Sequence, residues 1–204
     1  MELWLVRHGS TSAGKEGRFQ GRSDFPLSVA GTGEAAALAR RLGRAGSFDL
    51  LLSSDLRRTW LTAEIISREI SLSPVSEPLL RECSWGYIEG MRRIDVETHY
   101  PFIFHSRSGV LKALRCGGES ERKLLARTRT LRRKILRLCC GLQRIILVSH
   151  GRLLNAFISG CLGFSSLQKW PYAPLPASLS IVKLHPGGVD NRLLLFNDIC
   201  HLQE

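Results

Sequence analysis

The chain has 204 residues, 44% of them hydrophobic, and a formal net charge of +11. That length suits one well-buried domain and is short for two, so a single domain over residues 1–204 is expected. No run approaches the roughly 18 apolar residues of a membrane span, and no apolar signal segment opens the chain, so no membrane partner and a cytoplasmic location are expected.

In chain order, Leu3–Val6 is β-like, and Ser28 can cap a helix running through Glu34 to Leu42, ended by Gly43 and Gly46. Asp49–Leu52 is the next strand. Ser54 or Asp55 then caps a helix through Ile66, and Pro74 and Pro78 frame a short extended piece. Cys83 to Gly90 reads as a loop over the sheet. A longer amphipathic helix follows Gly117-Gly118-Glu119-Ser120, with Leu124, Leu131, Ile135 and Leu138 at helical spacing. Strand Arg144–Ser149, helix Leu153–Leu162 and strands near Ser178–Leu184 and Arg192–Phe196 complete the chain. Strands alternating with helices predict an α/β fold, a mostly parallel sheet covered on both faces. Six cysteines with no C-x-x-C pair fit reduced thiols.

Three strand ends carry the chemistry. Arg7-His8-Gly9-Ser10-Thr11 follows Leu3-Trp4-Leu5-Val6, Ser53-Ser54-Asp55-Leu56-Arg57-Arg58-Thr59 follows Leu50-Leu51-Leu52, and Val148-Ser149-His150-Gly151 closes Ile145-Ile146-Leu147. Open α/β sheets bind ligands at such ends. Each end delivers a cationic or potentially cationic side chain, which suits a phosphate dianion. Arg7 and Arg58 can grip phosphate oxygens with a guanidinium fork. Neutral His8 can attack in line and hold the phosphoryl group, and His150 can donate to the same oxygens. A leaving alkoxide needs a proton and an attacking water must lose one; Glu82 is the candidate for both.

These motifs resemble the histidine phosphatase superfamily, the branch that includes cofactor-dependent phosphoglycerate mutases and many small phosphatases. The R-H-G-x-T motif maps onto Arg7, His8 and Thr11, the L-x-R-[AT] motif onto Arg58, and S-H-G onto His150 and Gly151. Glu82 precedes Trp85-Gly86-Tyr87-Ile88-Glu89-Gly90 as the family's acid/base glutamate precedes its aromatic-Gly stretch, and Gln20-Gly21 with Pro26-Leu27-Ser28 resembles the pocket-lining loop. The resemblance implies a three-layer α/β/α fold with a mostly parallel mixed sheet, as in phosphoglycerate mutases. It implies catalytic His8, Glu82, His150, Arg7 and Arg58, with Thr11, Gln20, Gly21 and Gly151 also at the substrate. It implies no cofactor and no metal. Three departures stand out: Gly14 where the family often has a phosphate-contacting asparagine, Arg152 where many relatives have a small residue, and a Phe102–Cys116 stretch without the usual tryptophan and acidic residues.

The stretch between Glu82 and His150 is short beside that of the mutases, which favours a phosphatase acting on a small phosphorylated metabolite. The opening Leu3 to Gly9 and Ser47-Phe48-Asp49-Leu50 look most like α-ribazole 5′-phosphate phosphatases of cobalamin assembly. Alternatives are phosphoglycerate mutase-type transfer, phosphoserine phosphatase and a non-catalytic phosphate-binding protein. Between Arg122 and Arg144 lie nine basic residues with no acidic or aromatic one. Without stacking residues this reads as a solvated face that draws anionic substrates in, not as a nucleic-acid surface. Arg57 reads as solvated and Glu89 as a structural carboxylate. A two-fold homodimer is the default assembly.

Overall fold

The predicted alternation of strands and helices becomes one six-stranded sheet in the computed structural model, which describes residues 1–101, 113–164, 174–185 and 190–203. The strands are β1 (Glu2–Arg7), β2 (Leu50–Ser53), β3 (Pro74–Ser76), β4 (Arg144–Ser149), β5 (Leu179–Lys183) and β6 (Arg192–Asp198), in the order β3-β2-β4-β1-β5-β6. β1 runs parallel to β4, and β2 to both β3 and β4, whereas β5 is antiparallel to β1 and β6. The three central parallel strands therefore end on one edge, where Arg7, Ser53 and Ser149 stand.

The helices are α1 (Ser12–Lys15), α2 (Val29–Arg44), α3 (Arg57–Ile70), α4 (Arg93–His99), α5 (Glu121–Leu138) and α6 (Gly151–Cys161). The continuous apolar run of β4 is buried because both sheet faces are covered. Ile145 and Leu147 face α5 and α6, packing with Leu3, Leu5, Leu131 and Phe157. Ile146 and Val148 face α2 and α3, packing with Val6, Leu38, Leu42 and Ile66. The expected three-layer α/β/α arrangement with a mixed sheet is what results. Each fully buried Leu or Ile contributes roughly 1.5–3 kcal/mol. The exposed Arg92–Asp95 and Arg93–Glu97 pairs beside and on α4 are screened by solvent and add little. The layered core holds the fold.

Several local expectations need correction. Gly43 does not end α2, which continues to Arg44 with Ala45 as its C-cap; Gly46, at a φ of +97, follows directly, as the left-handed backbone past a helix end favours glycine. Neither Ser54 nor Asp55 is the N-cap of α3: Leu56 is, with no side-chain bond of its own. The free Arg57 N–H donates instead to Asp24 Oδ1 at 2.6 Å, a cap supplied by a distant loop. Leu138, at the helical spacing of α5, is 61% exposed. α5 begins directly after Gly117-Gly118-Glu119-Ser120 as expected, with Ser120 as its N-cap, accepting from Lys123 N. Residues 102–112, most of the divergent Phe102–Cys116 stretch, lie outside the described residues. Among those described, no helix is long and apolar enough to cross a membrane.

Candidate active site

His8 is the first residue past β1, and its backbone is fixed from both sides. Its N–H donates to Ser149 O at 3.0 Å, and its carbonyl accepts from Ala177 N at 3.1 Å. The side chain is 4% exposed, and Nδ1 lies 2.8 Å from Gly9 O. A carbonyl only accepts, so Nδ1 carries the proton and Nε2 keeps a lone pair. Burial, then the charges of Arg58 and Arg7, hold the His8 pKa well below its ordinary value. The ring is therefore neutral. The turn packs backbone to backbone on α2: a Cβ on Gly9 would lie 3.0 Å from the carbonyl carbon of Gly31, and one on Gly31 would lie 2.7 Å from that of Ser10. Glu34 completes the junction by accepting from Ser10 N at 2.7 Å and Ser10 Oγ at 2.8 Å.

Arg58, in the first turn of α3, is 1% exposed. Burial lowers its pKa to about 10, which leaves it charged at neutral pH. Its donors are more committed than the sequence implies. Nη2 donates to Gly21 O at 2.7 Å, Nη1 to Ser23 O at 2.8 Å and Nε to His150 Nδ1 at 3.2 Å. Each terminal nitrogen keeps one hydrogen for a ligand. Because His150 Nδ1 accepts, its proton sits on Nε2, which donates to Ser54 Oγ at 3.0 Å. His150 is fully buried, and burial first, then Arg58, keeps its pKa well below the ordinary value. Both of its ring nitrogens thus have protein partners, and the residue braces Arg58 instead of opening onto the cleft. Arg7 donates through Nη1 to Pro174 O at 2.5 Å, while its buried Nε has no partner. Its guanidinium lies 3.2 Å from where a Cβ on Gly151 would stand, so glycine at 151 makes room for it.

Glu82 sits at the mouth of α6. Its carboxylate accepts from Cys83 N at 2.8 Å and from Arg152 N and Leu153 N at 3.2 Å each. It does not pair with Arg81, which binds Asp55 instead. Arg127, from the basic helix, donates to the carbonyls of Leu79, Arg81 and Glu82 and to both oxygens of Glu119. It thereby holds the segment that presents Glu82, a role hidden among neighbouring arginines in the sequence. Arg132 and Lys134 are also engaged, with Gly160 O and Glu77. The solvated-face reading of α5 applies to its exposed residues only.

A cleft of about 160 Å³ gathers Arg7, His8, Gln20, Gly21, Arg58 and Glu82, six of the residues selected from sequence. It adds Arg18, Phe19 and Trp85, which had no role assigned; Phe19 and Trp85 pack as a tilted pair with ring centroids 5.4 Å apart. Thr11, His150 and Gly151 stand behind this lining. The Thr11 hydroxyl caps α1, accepting from Gly14 N at 2.9 Å. A Cβ at Gly14 would lie 3.0 Å from Gln20 Nε2, so the Gln20 amide fills the space beside that glycine. Glu89 is structural as expected, accepting from Arg22 N, Ser23 Oγ, Ser84 Oγ and Trp85 N. Arg57 is exposed. Among the described residues no cluster of three or more His, Cys, Asp or Glu is placed to hold a metal ion.

The family model of the histidine phosphatase superfamily (branch 1) matches residues 3–199. The chain belongs to that superfamily. Curated relatives include the probable phosphoglycerate mutases GpmB of Salmonella paratyphi C, 36% identical over 165 residues, and of Yersinia enterocolitica, 34% identical over 167 residues. Each alignment covers 80% of this chain and 75% of the relative. Among solved structures, a mycobacterial hydrolase is 26% identical with a TM-score of 0.85, over 97% of this chain and 98% of that one. A mycobacterial glucosyl-3-phosphoglycerate phosphatase in complex with VO3 is 26% identical with a TM-score of 0.81, over 96% and 98%. An α-ribazole phosphatase from Shigella flexneri has a TM-score of 0.83 at 24% identity, over 98% and 97%, a likeness of fold.

Proposed function

We propose that this member of the superfamily hydrolyses small phosphomonoesters through a phosphohistidine on His8. The observation that carries the reading is the fixed tautomer of His8: Nδ1–H is held by Gly9 O, so the Nε2 lone pair is available beside Arg7, Arg58 and Glu82. In the first step that lone pair forms an N–P bond as the P–O bond to the leaving group breaks, and Glu82 passes a proton to the departing oxygen. In the second, Glu82 takes a proton from water as the oxygen attacks phosphorus. The N–P bond then breaks, its electrons return to Nε2 and inorganic phosphate leaves. The transition state is loose, so stabilising charge on the equatorial oxygens is the main task. The spare hydrogens of Arg58 and the unpartnered Nε of Arg7 suit it. His150 acts by orienting Arg58; reaching a phosphoryl oxygen itself would require Nε2 to release Ser54.

A mutase reading is favoured by the names of the curated relatives at 34–36% identity. One experiment separates the two: phosphate release, in excess EDTA, from α-ribazole 5′-phosphate, phosphoserine, 3-phosphoglycerate and p-nitrophenyl phosphate. Interconversion of 2- and 3-phosphoglycerate is followed beside it. Release without interconversion is expected. His8→Ala should abolish it, and Arg58→Ala should cost on the order of 2–4 kcal/mol of transition-state stabilisation, like loss of one oxyanion donor. Interconversion with little release would replace hydrolysis by transfer. Release that stops in EDTA would overturn the metal-free mechanism.

A further inference from the structure

Arg152 is the second residue of α6, and its backbone N–H donates to Glu82 Oε2 at 3.2 Å. The side chain therefore leaves the helix beside the proposed acid. Its guanidinium lies over Trp85, with Cζ 4.9 Å from the ring centroid, and Trp85 and Glu82 both line the cleft that holds His8. A guanidinium stacked on an indole is held in place while its edge stays available for a planar anion.

Among the described residues no carboxylate forms an ion pair with the guanidinium of Arg152, and its buried Nε has no hydrogen-bond partner. Its polar side-chain neighbour is the Cys83 thiol, which burial pushes up to about 12 and which stays neutral. A buried donor without an acceptor is unfavourable, a penalty that an anionic ligand removes. The phosphoryl group already has Arg7 and Arg58.

We infer that Arg152 binds a second anionic group of the substrate, a carboxylate or a further phosphate, across Trp85 from the phosphoryl site. This rests on the phosphomonoester reading of the cleft and narrows it to small substrates with two anionic ends. Arg152 is then a specificity residue of the cleft.

The test is direct binding to the His8→Ala protein, where turnover does not intervene. The ligands are 3-phosphoglycerate and glycerol 3-phosphate, which share a three-carbon phosphorylated skeleton and differ by a carboxylate against a hydroxymethyl group. The acid is expected to bind at least about 10-fold more tightly, as a charge-assisted guanidinium contact allows. Adding Arg152→Gln should shrink that preference to about 2-fold or less while leaving the glycerol 3-phosphate Kd within about 2-fold. Arg152→Lys should keep part of the preference, and thermal melts establish that the variants are folded. Equal affinities for the two ligands, or no binding of either, overturn the inference. So does an equal loss for both on Arg152→Gln, which would make Arg152 a prop for Trp85. Hydrolysis of p-nitrophenyl phosphate by the unaltered chain is measured separately, so a failure of the phosphatase reading leaves the binding comparison legible.

Discussion

His8 and His150 face each other with ring centroids 5.2 Å apart, both buried and both kept neutral by desolvation and by two arginines. Their folded pKa values lie below the unfolded value of roughly 6.5, so in acid the unfolded chain binds protons that the native state refuses. Stability is then unaffected above about pH 6.5 and falls as the pH drops below it, by up to about 1.4 kcal/mol per pH unit for each histidine. Urea midpoints from pH 8 to pH 5 should show this loss beginning near pH 6.5, and a flat profile would contradict it. By the same shift, protonation of His8 in the free protein should leave kcat/KM undiminished at pH 6. The identities of these residues were legible because the chemistry lies at strand ends, and an arginine, a glycine and a histidine after an apolar run are hard to explain otherwise. The directions of their donors were not. Arg58 is turned by the carbonyls of Gly21 and Ser23, and His150 by Arg58 and Ser54, contacts between segments far apart in the chain.

At the scale of elements, apolar runs bounded by turn residues gave β1 and β4, since those signals are local. α4 left no such trace: Val96 is its buried residue, and the rest of its sequence reads as solvated charge. The cap of α3 comes from Asp24 and the support of Glu82 from Arg127, so neither follows from neighbouring residues. The loop carrying Gln20 and Gly21 depends in turn on Glu89. Gly21 has φ of +50, and a Cβ there would lie 2.6 Å from Glu89 Cδ. Glu89→Ala removes the acceptor of four hydrogen bonds from the two loops. It should cost about 2–3 kcal/mol in urea unfolding and lower kcat and kcat/KM together, because the Gly21 and Ser23 carbonyls that aim Arg58 at the transition state lose their anchor. A kcat/KM unchanged by this substitution would show that the loop is held in some other way.

Across the whole molecule, the sheet order brings the ends of β1, β2 and β4 to one edge, and a net charge of +11 surrounds it. Arg129, Arg133 and Arg137 are exposed on α5 and support no part of the cleft. Long-range attraction of a dianion is screened within about 10 Å at 0.1 M salt. For a phosphomonoester, kcat/KM should therefore fall as salt rises while kcat holds, and the triple change of these arginines to glutamate should flatten that dependence. An unaltered slope in the triple variant would place the attraction at Arg7, Arg58 and the cleft itself.

α2 connects two distant parts of the chain. At its first turn it bears on the His8 turn through Gly31 and Glu34. Near its last turn Arg41 grips Asp198 at 3.0 and 3.1 Å and His201 at 3.1 Å. Its 16 residues make a rod about 24 Å long. The rod ties the Cys200–Leu202 turn at one end to the turn that carries His8 at the other.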